Sequence, residues 1–158
     1  MHPYLFKGLE SGPRTIQRLI KMVPADRLDV PTHPGRFSPR EVMAHLADWE
    51  PISRGRMQTA IATPGATVPD LDEGAIAIEK KYSEWDPIET SEEFIRRRAE
   101  TIEFLHGLSD HDWTKIAVHS RRGPMTVYDY ANLELGHDLY HIAQLCTALT
   151  PVKEEAVR

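Results

Sequence analysis

Apolar residues recur at three- and four-residue steps in four stretches of the chain, the period of an amphipathic helix. In the first, from about Pro3 to Met22, Leu5, Leu9, Ile16, Leu19 and Ile20 fall on one face, with Val23 just beyond. Gly12-Pro13 within it predicts a kink or a break, since proline cannot donate the next backbone hydrogen bond. Residues 23–37, studded with Pro24, Pro31 and Pro34, read as a connector. The second helix has the clearest start signal: Ser38 as N-cap, Pro39 at the first helical position and Glu41 three residues after the cap. It runs to about Ala62, places Val42, His45, Trp49 and Ile52 on one face, and is expected to bend at Pro51, just past Trp49.

Residues 63–90 open on TPGATVPD and close on a WDP turn, and EGAIAIEKKYSE between them predicts a short helix packed over one end of a bundle. Thr90 and Glu93 make a second capping-box pattern, opening a third helix whose Phe94, Ile95, Ile102 and Leu105 face the core and which ends near Gly107. IAVHSRRGPM reads as an extended excursion turning at Arg122-Gly123-Pro124, with a weak hairpin signal. Thr126 then caps a fourth helix that runs to about Leu149 and stops at Thr150-Pro151. Four helices without convincing alternating strands predict an all-α, four-helix bundle with a longer connector between helices two and three, forming one domain over residues 1–158.

A content of 41% apolar and 27% charged residues is that of a globular chain able to bury a core. A net charge of −5 with dispersed Lys and Arg argues against a nucleic-acid partner. No stretch approaches the roughly 20 apolar residues of a membrane span, and the first residues lack a basic leader, so the expected location is the cytoplasm, away from membranes. The single Cys146 rules out an internal disulfide or a CxxC motif, leaving histidine and carboxylate as the available metal ligands. Cys146 also points about 140° away from His141 around the helix and is read as a buried small apolar residue, not a nucleophile.

In the fourth helix, GHDLYHIAQL sets His137 and His141 four residues apart, on one face and about one turn from each other. Two imidazoles so placed can close on one ion, and a neighbouring helix about 8–10 Å away can supply a third nitrogen, for which His45 is the best-placed donor. Spacing alone leaves ordinary histidines and a metal site about equally weighted. A zincin is the weaker alternative, because His137-Asp138-Leu139-Tyr140-His141 has Asp where HExxH has Glu and no further ligand follows. A di-metal bundle is another, drawing on Glu103/His106 and Glu134/His137 with Glu10 and Glu41 or Glu50, but it leaves His141 unused. Asp48, Glu134 and Asp138 are the candidates to orient imidazoles or move a proton, with structural salt bridges equally weighted for each, and the angular position of Glu134 makes it a candidate fourth ligand. His2, His33, His111 and His119 fall at termini, turns or connectors and are expected to be exposed, with His119 alone able to reach back over the bundle mouth.

FSPREVMAHLADWE (residues 37–50), GHDLYHIAQL (136–145) and the RGPMTV lead-in (122–127) resemble the DinB-like superfamily over nearly the whole chain. That group includes YfiT-type metal-dependent hydrolases and thiol-dependent transferases. The resemblance implies a four-helix bundle holding one divalent metal, commonly zinc or nickel, at His45, His137 and His141. It further implies a homodimer acting on a small-molecule or thiol substrate as a hydrolase or thiol S-transferase. Three imidazoles leave a tetrahedral ion one open position, as catalysis requires. The alternative is a non-catalytic bundle whose ion serves a structural or stress-related role. No catalytic residue is assigned by the sequence.

Overall fold

The computed structural model describes residues 4–150. The first long helix, α1, spans Tyr4–Met22 and buries Leu5, Leu9, Ile16 and Ile20. It is not broken at Gly12-Pro13. Pro13 leaves the Leu9 carbonyl without its helical donor, and the guanidinium of Arg98 reaches that oxygen at 3.4 Å. The expected start at Pro3 lies outside the described residues. A short 3₁₀ turn at Ala25–Arg27 follows in the connector.

The second helix, α2, spans Pro39–Ala62 and has the capping box anticipated from Ser38 and Glu41. It continues through Pro51, and here too an arginine takes the freed oxygen: Arg97 donates to the Ala47 carbonyl at 2.7 Å. Every residue from Val42 to Glu50 is buried, so the middle of this helix is enclosed on all sides.

Next come strand β1 (Thr67–Val68), helix α3 (Glu73–Glu79) and a 3₁₀ turn (Tyr82–Glu84). Ala77 and Tyr82 pack on Ala44, so this segment lies along α2 beside His45. Helix α4 spans Pro87–His106. It starts three residues before the expected Thr90, because Asp86 caps the N–H groups of Ile88 and Glu89 while Pro87 fills the first helical position. Glu93 is consequently free to pair with Arg96 and Arg97.

The extended excursion with its weak hairpin signal is indeed a hairpin, its turn falling at residues 120–122, just ahead of the expected Arg122-Gly123-Pro124. Helix α5 (Asp110–Trp113) leads into β2 (Ile116–His119) and β3 (Gly123–Thr126), an antiparallel hairpin with Ala117 opposite Met125. β1 adds to β2 in parallel, completing a three-stranded sheet. The last helix, α6, spans Val127–Leu149 behind a Thr126/Asp129 capping box.

α1 and α2 each pack between α4 and α6, so these two consecutive long helices lie diagonally across the bundle. The core is split along the bundle axis. Leu5, Leu9, Met57, Leu105, Val127 and Tyr130 fill one apolar half. Ile16, Ile20, Val42, Leu46, Phe94 and Leu145 fill the other. Between them sits a buried polar layer of Glu50, Ser53, Arg98, Glu134 and Asp138. Gly12 belongs to it as well, since a Cβ there would collide with the Asp138 carboxylate.

Candidate metal centre

α2 and α6 bring His45, His137 and His141 together, with one nitrogen from each within 4.8 Å of the others. The Nε2 of His137 lies 2.9 Å from that of His45 and 3.0 Å from that of His141. A tetrahedral ion with ligands at about 2.0–2.1 Å sets its nitrogens about 3.3 Å apart, so small side-chain adjustments accommodate one. His45 is 1% exposed and His141 4%, while His137 is only partly buried.

The tautomer of His141 follows from its neighbours. Gln144 donates from Nε2 to the Phe37 carbonyl at 2.7 Å, which orients its amide oxygen towards His141 Nδ1, 3.0 Å away. Nδ1 therefore carries the proton, and the Nε2 lone pair faces His137. Among the described residues, Nδ1 of His45 is buried with no protein partner. All three rings are held neutral. Burial, with His141 and His45 alongside, pushes His137 down to about 2; burial, then the His141 charge, takes His45 to about 3; burial takes His141 to about 4 against the opposing Gln144 bond. Neutral imidazoles crowding three nitrogens into one buried spot are the donor set that a divalent transition metal fits.

None of the three carboxylates singled out from the sequence bonds an imidazole. Asp48 accepts from Lys80 at 2.8 and 2.7 Å and from the Tyr82 hydroxyl at 2.7 Å, tying the segment after α3 to α2. Asp138 accepts from both terminal nitrogens of Arg98. Glu134 accepts from Ser53 and stands 3.7 Å from Arg98, and it is not part of the three-histidine group. The supporting partner is instead Gln144, which the sequence reading passed over although its three-residue spacing from His141 puts it on the same helix face. Replacing Gln144 with alanine is expected to weaken metal binding about 10- to 100-fold while leaving the fold intact, measured by competition with a chelator.

Within the polar layer, one guanidinium faces three carboxylates. Burial works against the charge of Arg98, but Glu50 and Asp138 outweigh it and hold its pKa up. Burial, then the Glu50 charge, pushes Glu134 up to about 8. A native-state pKa above the unfolded value of about 4.3 means that the folded protein binds this proton more tightly, so this contribution to stability falls as pH rises from about 4 to about 8. Glu134→Gln, which mimics the protonated acid, should match the parent near pH 5 and exceed it in urea resistance near pH 9 by a few kcal/mol at most.

The remaining expectations divide. His119 is buried on β2, 2% exposed, where its Nδ1 accepts from the Arg121 amide and Asp70 lies 3.7 Å from its Nε2. The hairpin carries it inward, contrary to the exposure expected of a connector. Cys146 is exposed rather than buried. His106 stacks on Phe6 at the end of α4, and among the described residues no second cluster of metal-ligating side chains accompanies it, which removes the di-metal arrangement. His33 and His111 are exposed as expected, and His2 lies outside the described residues.

His137 and His141 line a cavity of about 240 Å³ together with Arg36, Phe37, Glu73 and Tyr140. The three-histidine group thus has an open side.

The family model of the DinB superfamily matches residues 9–145. No curated protein matches the sequence significantly. Among solved structures, the chain is similar to YfiT from Bacillus subtilis, a probable metal-dependent hydrolase with an unusual four-helix bundle topology. The TM-score is 0.85 at 21% identity, covering 91% of this chain and 83% of that one. It is also similar to the mycothiol-dependent maleylpyruvate isomerase, with TM-score 0.72 and 12% identity over 89% of this chain and 59% of that one. A DinB-like protein from Bacillus subtilis matches at TM-score 0.62 and 11% identity, over 92% of this chain and 89% of that one. At these identities the likeness is one of fold.

Proposed function

Because the chain belongs to the DinB superfamily, we propose that it is a metal-dependent enzyme acting on a small molecule, as a hydrolase or a thiol S-transferase. The ion is zinc or nickel, held by His45, His137 and His141. The observation that carries this reading is the convergence of three neutral imidazoles beside a cavity that two of them line. When bound, the ion supplies Lewis-acid activation of a water or thiol at the position that three ligands leave open. A purely structural ion would call for a fourth protein ligand, and among the described residues the group holds three.

The chain's own residues divide the remaining tasks. Gln144 fixes the His141 ring and its tautomer. Phe37 and Tyr140 form the aromatic wall of the cavity. Glu73, an exposed residue whose carboxyl pKa is raised by partial desolvation at the cavity wall, lines the same cavity and is available to move a proton. The family resemblance further supports a single domain working in the cytoplasm as a homodimer. A charge of −5 disfavours a nucleic-acid partner, and no described helix is long and apolar enough to cross a membrane.

The test is turnover by zinc- and nickel-loaded protein on two panels, one of esters and amides and one of electrophiles with small thiols. Activity above that of the metal-free protein, lost on chelation and in His141→Ala, is expected on one panel. No metal-dependent turnover on either would refute the enzyme reading.

A further inference from the structure

Arg36 lines the cavity beside His137 and His141, and it also lines an adjoining one of about 500 Å³ that runs along α6 to Thr147. Its guanidinium lies over the Tyr140 ring at 6.0 Å, and no carboxylate among the described residues pairs with it. Arg36 is exposed to solvent at the mouth of the two cavities, so unlike Arg40, Arg54, Arg97 and Arg98, which are engaged by carboxylates, its guanidinium is free to meet a ligand there.

The backbone holds Arg36 in place. Pro34-Gly35 occupies the centre of a tight turn closed by the Arg36 amide on the His33 carbonyl at 3.2 Å. Gly35 has φ +72°, the left-handed value that the third position of a type II turn demands and that glycine supplies without strain. The next residue, Phe37, gives its carbonyl to Gln144, whose other end holds His141. A metal ligand and the residue next to Arg36 are thus clamped by the same amide side chain.

We propose that Arg36 is the residue that selects the substrate, and that the substrate carries a carboxylate, bound by the guanidinium while the reacting end of the molecule lies at the three histidines. A planar fork on an aromatic face matches a carboxylate in two-point fashion. Glu73 on the same cavity repels a dianion such as a phosphate monoester more strongly than a monocarboxylate. This inference rests on the metal-enzyme reading above, which supplies the site for the reacting end.

The test uses cobalt-loaded protein, in which a bound thiolate gives a charge-transfer absorption, titrated with thioglycolate, mercaptopropionate, mercaptobutyrate and the uncharged mercaptoethanol. The tightest of the three carboxylates should bind about ten-fold better than mercaptoethanol. Arg36→Gln should erase that preference without changing mercaptoethanol affinity, and Arg36→Lys should restore part of it. Equal affinities in the parent protein, or a preference that survives Arg36→Gln, would overturn the proposal. A second readout separates it from the metal reading: the side-chain Nε–H NMR signal of Arg36, identified by its loss in Arg36→Gln, should shift with the same carboxylates in metal-free protein. That shift without any cobalt absorption would sink the metal reading and sustain the assignment of Arg36, whereas no shift in either form would refute the assignment.

Discussion

Replacing His141 or His45 with alanine is expected to strip the protein of its metal. Zinc or nickel in the purified protein should fall from about one equivalent to a small fraction of that, because two imidazoles cannot hold what three were arranged to share. Affinity should drop by more than the roughly 10- to 100-fold assigned to the loss of a ligand's hydrogen-bond partner such as Gln144. A linked stability change gives an independent readout. At about a thousand times its dissociation constant an ion stabilises the native state by about 4 kcal/mol, so the rise in melting temperature on adding zinc should vanish in both variants. The metal-free variants should stay folded: His45→Ala removes a buried imidazole whose Nδ1 has no partner among the described residues, and His141→Ala gives up its bond to Gln144, a loss of about 1 kcal/mol. Unchanged metal content in both would sink the three-histidine site.

The largest effect on folding is expected at Arg98. Its side chain is 2% exposed, bonds Glu50 at 2.8 Å and Asp138 at 2.6 Å, and also reaches the carbonyl that Pro13 leaves free. Arg98→Ala leaves two buried carboxylates without their cation and should cost about 3–5 kcal/mol in urea unfolding at neutral pH. Much of that is the penalty of stranding the partners. The triple change Arg98→Met, Glu50→Gln and Asp138→Asn should therefore recover a good part of the loss, far from the sum of the single effects. A loss below about 1 kcal/mol for Arg98→Ala would mean that the polar layer is open to water, contrary to its burial.

The two caps that begin α2 and α6 were legible from local chemistry, because a capping box needs only residues three apart. The start of α4 was not. Thr90 and Glu93 match the same pattern, and the choice went to Asp86-Pro87 because that pair caps two N–H groups and fills the first helical position. The three short strands between the long helices were hard to read for a different reason. The pairing of Thr67 with Val118 joins residues far apart in sequence, and neither short strand shows alternation of its own.

The site divides along the same line. Helical geometry puts His137 and His141 on one face wherever the helix goes, so their spacing was readable from the sequence. His45 was reachable only through the facing of the second helix and the family resemblance. The roles of the carboxylates were beyond the sequence. Glu134 lies within about 60° of both histidines on a helical wheel, which suggested a fourth ligand. Its carboxylate instead turns to Ser53 and Arg98, residues of two other helices. Asp138 likewise goes to Arg98 through the space that Gly12 leaves open.

By itself, then, the sequence determined the four long helices, the local caps and the paired histidines, all set by interactions within a few residues. Packing decided the diagonal placement of α1 and α2, the inward turn of His119, the enclosure of α2 between Val42 and Glu50, and the polar layer around Arg98. Each of these depends on which charges and apolar faces meet across helices, and the free energy of a buried charge is fixed by its partners rather than by its place in the chain.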